Sequence, residues 1–167
     1  NMKEIQIKGP VHIEENVTIE SGTVIEGPCF IGSGSFIGNS VLIRKYTSIG
    51  RGSVIGYGVE LKNSVLFDGA RIGRLSYVGD SVVGGNVDIG SGTMTINGNL
   101  DRSTISAAVN GKKMDTGLIK LGAFIGDDSV IGASNTLQAG SIIKTNAKIP
   151  HNHSYPVKGG GTTKKKR

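Results

Sequence analysis

The sequence predicts an all-β protein, a parallel β-helix of hexapeptide repeats with about six to seven coils and one β-hairpin excursion. Three observations point there. A large apolar residue returns at every sixth position from Ile13 through Ile19, Ile25, Ile31, Ile37, Ile43, Ile49, Ile55 and Leu61 to Phe67. A small or β-branched residue sits two places before each of them, as at Thr23, Cys29, Ser35, Val41, Thr47 and Ser53. Glycine often follows, as at Gly32, Gly38, Gly50 and Gly56. A period of six fits neither a helix, which recurs at 3.6, nor one flat strand, which alternates at 2. It fits a short strand plus a turn, three of which, about 18 residues, close one triangular coil. The 27 glycines then serve corners. Each buried large side chain contributes roughly 1.5 to 3 kcal/mol, so the ladder is scaffold and chemistry must come from what decorates the corners.

Taken in order, residues 1–12 read as a lead-in, 13–150 as the β-helix and 151–167 as a basic Gly-rich tail. Beyond Phe67 the large positions continue at Ile72, Val78, Val83 and Ile89, with two steps of five, so two corners between Phe67 and Val83 are expected to be tightened. A regular solenoid has no need of such slips, which makes this stretch a candidate site. The beat stops after Asn97 and resumes at Leu121. Within the gap, Asn110-Gly111 between strand-like flanks is a strong type I′ hairpin signal, read as an excursion near 98–120 that projects from one corner. The pattern then returns at Ile125, Ile131, Leu137, Ile143 and Ile149, and Pro150 and Pro156 end the pairing.

Composition narrows the function classes. The length suits one domain, and 37% apolar residues suffice for a thin core shared between neighbouring coils. No apolar run approaches the length of a membrane span and no signal-peptide pattern opens the chain, so neither membrane nor export is expected and a cytoplasmic protein is the default. Five of the net six positive charges fall in Lys158–Arg167. The body therefore carries no basic, aromatic-interleaved surface, and nucleic acid is not an expected partner. Cys29 occupies a small inward position and reads as an inert core thiol. No zinc spacing, Walker-type loop or Ser-His-Asp context occurs, and no metal is expected.

Arg44 and Lys62 lie 18 residues apart, so they stack one coil above the other at the usual strand spacing of about 4.8 Å. Like charges at that distance repel by roughly 1 to 3 kcal/mol. An anion between them reverses the sign, and phosphate suits the Arg fork and the Lys point charge. The competing reading is a charge ladder with Glu26, 18 residues before Arg44, worth at most about 1 kcal/mol. Tyr77, Asp88 and Asn97 are polar positions around the slipped corners. None of His12, His151 and His153 falls in the irregular stretch.

From about Arg44 to Ile143 the chain resembles the left-handed β-helix domain of bifunctional UDP-N-acetylglucosamine pyrophosphorylase/glucosamine-1-phosphate N-acetyltransferases and related archaeal sugar-phosphate nucleotidylyltransferases. The resemblance rests on Arg44, Val59-Glu60-Leu61-Lys62, Gly73-Arg74-Leu75-Ser76-Tyr77-Val78-Gly79-Asp80 and the run from Asn86-Val87-Asp88 to Asn97. It implies a left-handed winding, a homotrimer, a sugar 1-phosphate substrate and acetyl-coenzyme A as co-substrate bound between subunits. It places Arg44, Lys62 and Lys120 on phosphate-binding positions, Arg74, Tyr77, Asp88 and Asn97 on catalytic ones, and Ala133 and Ala139 beside the cofactor.

Two departures matter. Arg74 stands where the family has its catalytic histidine, and Asp88 where it has asparagine. The histidine would take a proton from the attacking sugar amine, and a positioned base contributes about 10²- to 10⁴-fold. Arginine cannot accept that proton. Either transfer is weakened or lost, or Asp88 supplies the base, or the pocket binds an anion in a regulatory or vestigial role. The sequence thus leaves three readings: an acyltransferase-type domain acting on an amino-sugar phosphate, a non-catalytic trimerisation domain of a sugar-1-phosphate nucleotidylyltransferase, and a sugar-phosphate sensor independent of coenzyme A. The Gly-rich opening loop of a nucleotidylyltransferase does not occur, so no nucleotidyltransferase site is expected in this chain.

Overall fold

Every sixth side chain points inward because each hexad supplies one strand and one bend, and the strands stack into three flat parallel sheets. The computed structural model describes residues 4–155. Its first face holds eight strands, from Gln6–Lys8 to Ser154–Tyr155; the second holds seven, from Val11–Ile13 to Ser141–Ile143; the third holds seven, from Thr18–Ile19 to Lys148–Ile149. The expected parallel β-helix is present. Among the described residues no helix is long and apolar enough to cross a membrane.

The windings number about eight, not six to seven, and the regular part extends past both expected boundaries of 13–150. Gln6–Lys8 pairs with Val24–Glu26, and Ser154–Tyr155 with Thr136–Leu137. The reason lies in the period itself, since Ile7 is six residues before Ile13 and Tyr155 six after Ile149. What was read as lead-in is mostly the first winding. The rest of the expected tail, residues 156–167, lies outside the described residues.

A single ladder of Ile25, Ile31, Ile37, Ile43, Ile49, Ile55, Leu61, Leu66, Ile72, Val78, Val83, Ile89, Ile125, Ile131, Leu137 and Ile143 forms the core. The small inward positions bind corner carbonyls of the next turn. Thr23 Oγ1 donates to Gly38 O at 3.0 Å, Ser35 Oγ to Gly50 O at 3.0 Å, and Asn135 Nδ2 to Gly132 O at 2.6 Å. Buried polar groups are thus paired, which removes the desolvation penalty they would otherwise carry.

One expected slip is displaced. Leu66, not Phe67, is the inward residue: Leu66 is 1% exposed and Phe67 54%. The two five-residue steps therefore run from Leu61 to Leu66 and from Val78 to Val83, and the register across this stretch is 17 residues, as in Glu60 opposite Tyr77 and Val65 opposite Val82. Both shortened steps turn the corner from the first face to the second. The excursion leaves from the same corner one turn later. Val83 pairs directly with Phe124's neighbour Ile125, so the chain between is looped out. Its hairpin is as expected: Ser106–Val109 runs antiparallel to Lys112–Asp115, with positive φ at Asn110 and Gly111. Gly140 is needed where the excursion returns against the prism, because a Cβ there would sit 2.5 Å from Ser106 O.

Candidate functional site

The corner between the first and second faces gathers most of the expected site residues. It is built from four successive turns, Arg44-Lys45-Tyr46, Lys62-Asn63-Ser64, Gly79-Asp80-Ser81 and Ile96-Asn97-Gly98. At its lower end, Glu26, Arg44, Lys45, Tyr46, Lys62 and Asn63 line an open cleft of about 600 Å³. Leu61 lies opposite Ile43, which places Lys62 directly above Arg44 as the 18-residue spacing demands.

Neither cation is bare. Arg44 Nη1 donates to Glu60 Oε1 at 3.0 Å, and Lys62 Nζ lies 2.9 Å from Asp80 Oδ2 and 3.2 Å from its Oδ1. The alternative ladder with Glu26 does not form, since Glu26 instead faces Lys8 at 3.9 Å. The reason is reach: Glu60 projects from the same face as Arg44, one turn above it. The hydrogen bond to Glu60 raises the Arg44 pKa further above its already high ordinary value, so that charge is constant at any working pH.

Asp80 is the hub of a polar network that the sequence reading did not single out. Its carboxylate also accepts from Asn63 Nδ2 at 2.8 Å and from Asn97 Nδ2 at 2.6 Å. Burial alone would push this carboxyl up, but hydrogen bonds from Asn63, Lys62 and Asn97, with the Lys62 charge, outweigh burial and hold it below its ordinary value. Asn97 Nδ2 donates in addition to the Tyr77 hydroxyl at 2.9 Å. Burial, and next the Asp80 charge, push the Tyr77 phenol up, which keeps its proton on the oxygen. Gly79 makes room for this ring, because a Cβ there would overlap the Tyr77 hydroxyl. A signal for Asp80 did exist: Asn63, Asp80 and Asn97 recur at 17 residues, one per shortened turn.

Lys120 closes the upper end. As the excursion rejoins the prism, Leu121 N donates to Asn97 O at 3.2 Å, and Lys120 Nζ lies 2.9 Å from where a Cβ on Gly98 would sit. Ala139, 8% exposed, follows Gln138 on the same corner and lines a neighbouring cavity of about 640 Å³ with Ile96, Gly98 and Asn99. Arg44, Lys62, Tyr77, Asn97, Lys120 and Ala139 therefore share one corner.

Arg74, Asp88 and Ala133 do not. Arg74 is exposed in the bend from the third face to the first, where its carbonyl accepts from Gly92 N at 2.9 Å. Among the described residues its guanidinium has no hydrogen-bond or ion-pair partner. Asp88 points outward from the third face opposite Arg71. Ala133 stacks above Gly90 on the Arg74 corner and donates its N–H to His151 Nδ1 at 2.7 Å. Within one chain the expected residues thus form two separate sets. Among the described residues no group of three or more His, Cys, Asp or Glu is placed to hold a metal ion.

This arrangement has counterparts. The model of the GMPPB C-terminal domain family matches residues 25–117. The chain is 46% identical over 145 residues to a bifunctional sugar-1-phosphate nucleotidylyltransferase/acetyltransferase of Sulfurisphaera tokodaii, covering 87% of this chain and 36% of that protein. It is 41% identical over 148 residues to a bifunctional protein GlmU of Methanococcus maripaludis, covering 89% of this chain and 36% of that protein. It spans about a third of the length of these curated relatives. Among solved structures, a hexapeptide transferase family protein from Anaplasma phagocytophilum superposes with a TM-score of 0.65 at 17% identity, covering 87% of this chain and 78% of that one, a likeness of fold.

Proposed function

The chain belongs to the GMPPB C-terminal domain family, and from that membership we propose that it is the acetyltransferase-type β-helix domain of a sugar-1-phosphate nucleotidylyltransferase/acetyltransferase. In this reading it binds an amino-sugar 1-phosphate and acetyl-coenzyme A as a homotrimer. The observation that carries it is the corner at which Arg44 and Lys62 stack beside Tyr77 and Asn97. The phosphate takes the free donors of Arg44 and Lys62, displacing the exposed Glu60 carboxylate, and Lys120 adds charge from above. Relatives whose names include acetyltransferase support the second substrate, placed by this reading against Ala133 and Ala139.

The two sets of residues support a site shared between copies: the Arg74 corner of one chain meets the Lys62 corner of the next. Transfer requires the sugar amine to attack the thioester carbonyl, forming the C–N bond and breaking C–S, while the amine proton leaves to a base. Arg74 cannot be that base. Asp88, outward on the third face, is the remaining acidic candidate, and without a well-placed base the rate falls by about 10²- to 10⁴-fold. Acetyl transfer in this chain is therefore weakened or lost. The absence of any base at Arg74 also favours a second reading, a trimerisation domain that keeps the sugar-phosphate corner without catalysis.

The test is thiol release from acetyl-coenzyme A with glucosamine 1-phosphate, in the wild type and in Arg74→His. A slow wild type and a faster variant support the weakened enzyme; full wild-type activity removes the argument about Arg74; no transfer by either protein favours the scaffold.

A further inference from the structure

We propose that Asp80 is the positioning residue of the sugar-phosphate corner: its carboxylate fixes the side-chain amide of Asn97, and through it the polarity that the site shows its ligand. The inference rests on the functional reading above. Asp80's side chain is 5% exposed and no part of it reaches the open cleft as a free acceptor. All of its hydrogen bonds are to site residues, namely Lys62, Asn63 and Asn97.

The chemistry of the amide decides its orientation. Asn97 Nδ2 has two hydrogens, and both are used, one on Asp80 Oδ2 at 2.6 Å and one on the Tyr77 hydroxyl at 2.9 Å. Turning the amide over would set its oxygen against the carboxylate oxygen, two acceptors in contact. An amide flip that diffraction rarely settles is here dictated by the negative charge beside it. Two consequences follow for the cleft. Asn97 Oδ1 has no partner among the described residues and remains an acceptor. The Tyr77 oxygen already accepts from Asn97, so its own proton is left to donate. The corner then offers cations for a phosphate at Arg44 and Lys62, one donor at Tyr77 and one acceptor at Asn97. That set matches a sugar phosphate carrying an N–H or O–H group opposite Asn97, and discriminates against a ligand with only acceptors there.

The experiment uses the full chain with Asp80→Asn and Asp80→Ala. Asn tolerates the positive φ of 51° at this position, so the first variant is expected to fold, and circular dichroism checks it. Inorganic phosphate and glucosamine 1-phosphate are titrated separately. The wild type is expected to prefer the sugar phosphate over phosphate, and Asp80→Asn to lose about tenfold of that preference, the worth of one good hydrogen bond, while phosphate binding holds or tightens as a negative charge is removed beside Lys62. An unchanged preference in both variants overturns the inference. A ligand-free measurement separates this from failure of the functional reading: the side-chain amide resonances of Asn97 in ¹⁵N spectra are expected to be shifted and slow to exchange in the wild type and to lose both properties in Asp80→Asn. If they are the same in both proteins Asp80 does not position Asn97, whether or not any sugar phosphate binds.

Discussion

Lys62 Nζ and Asp80 Oδ2 lie 2.9 Å apart across two consecutive turns, and both turns are one residue shorter than the hexad rule demands. The shortening is what brings them together. In the unshortened register a residue faces its equivalent 18 positions on; here Lys62 faces Gly79, and Asp80 sits beside it with its side chain turned back.

Removing one member of this pair is expected to be costly. Lys62→Met keeps most of the stem but leaves Asp80 with a charge that only Asn63 and Asn97 serve. Loss of about 1 to 3 kcal/mol is expected, measured by denaturant unfolding, and the double variant with Asp80→Asn should recover part of it.

Thr95 occupies an inward position that is large and apolar on most turns. Its Oγ1 accepts from Gly79 N at 2.8 Å. Thr95→Val preserves the shape and strands that N–H, so a loss of about 1 to 3 kcal/mol is expected, together with weaker sugar-phosphate binding, because the strand Tyr77–Gly79 carries the phenol. A variant as stable as the wild type would show that the hydroxyl is dispensable.

Gly79→Ala separates site from scaffold. The added methyl overlaps the Tyr77 hydroxyl, so the ring must leave Asn97. Sugar-phosphate binding is expected to fall about tenfold or more, with the parallel strand content kept in circular dichroism. Unaltered affinity would mean that the Tyr77 hydroxyl does not touch the ligand.

Acid stability has a defined sign. The hydrogen bond from Arg51, next the Ser33 backbone N–H, lower the Glu14 carboxyl from 4.5 to about 2. A carboxyl depressed in the folded state contributes stability above its unfolded value, and the contribution is lost as pH falls through the folded one. Asp80, also held below its ordinary value, acts in the same direction. The melting temperature should therefore decline between about pH 4.5 and 2, and Glu14→Gln should flatten part of that decline.

The scaffold was legible because its signal is local and repeated. Ile13 to Leu61 mark inward positions by sequence alone, and Asn110-Gly111 marks the hairpin turn. Phe67 misled because two large residues, Leu66 and Phe67, stand side by side, and only the register shows which one is inward. Ile7 and Tyr155 obey the beat but lie at the ends, where one neighbouring turn is missing and exposure is high. The site was legible where it lies on an 18-residue ladder, as at Arg44 and Lys62. It was hidden where the step becomes 17, so that Asp80 read as a turn residue after a glycine. The separation of Arg74 from Lys62 was also hidden, because it depends on which corner each bend occupies.

The most direct test of the account is a calorimetric titration of the wild type and of Arg44→Ala with glucosamine 1-phosphate, followed by acetyl-coenzyme A. Saturable binding of the sugar phosphate by the wild type, lost in Arg44→Ala, is the predicted result. Absence of binding by the wild type, or equal binding by the variant, would contradict the claim that this corner holds the phosphate.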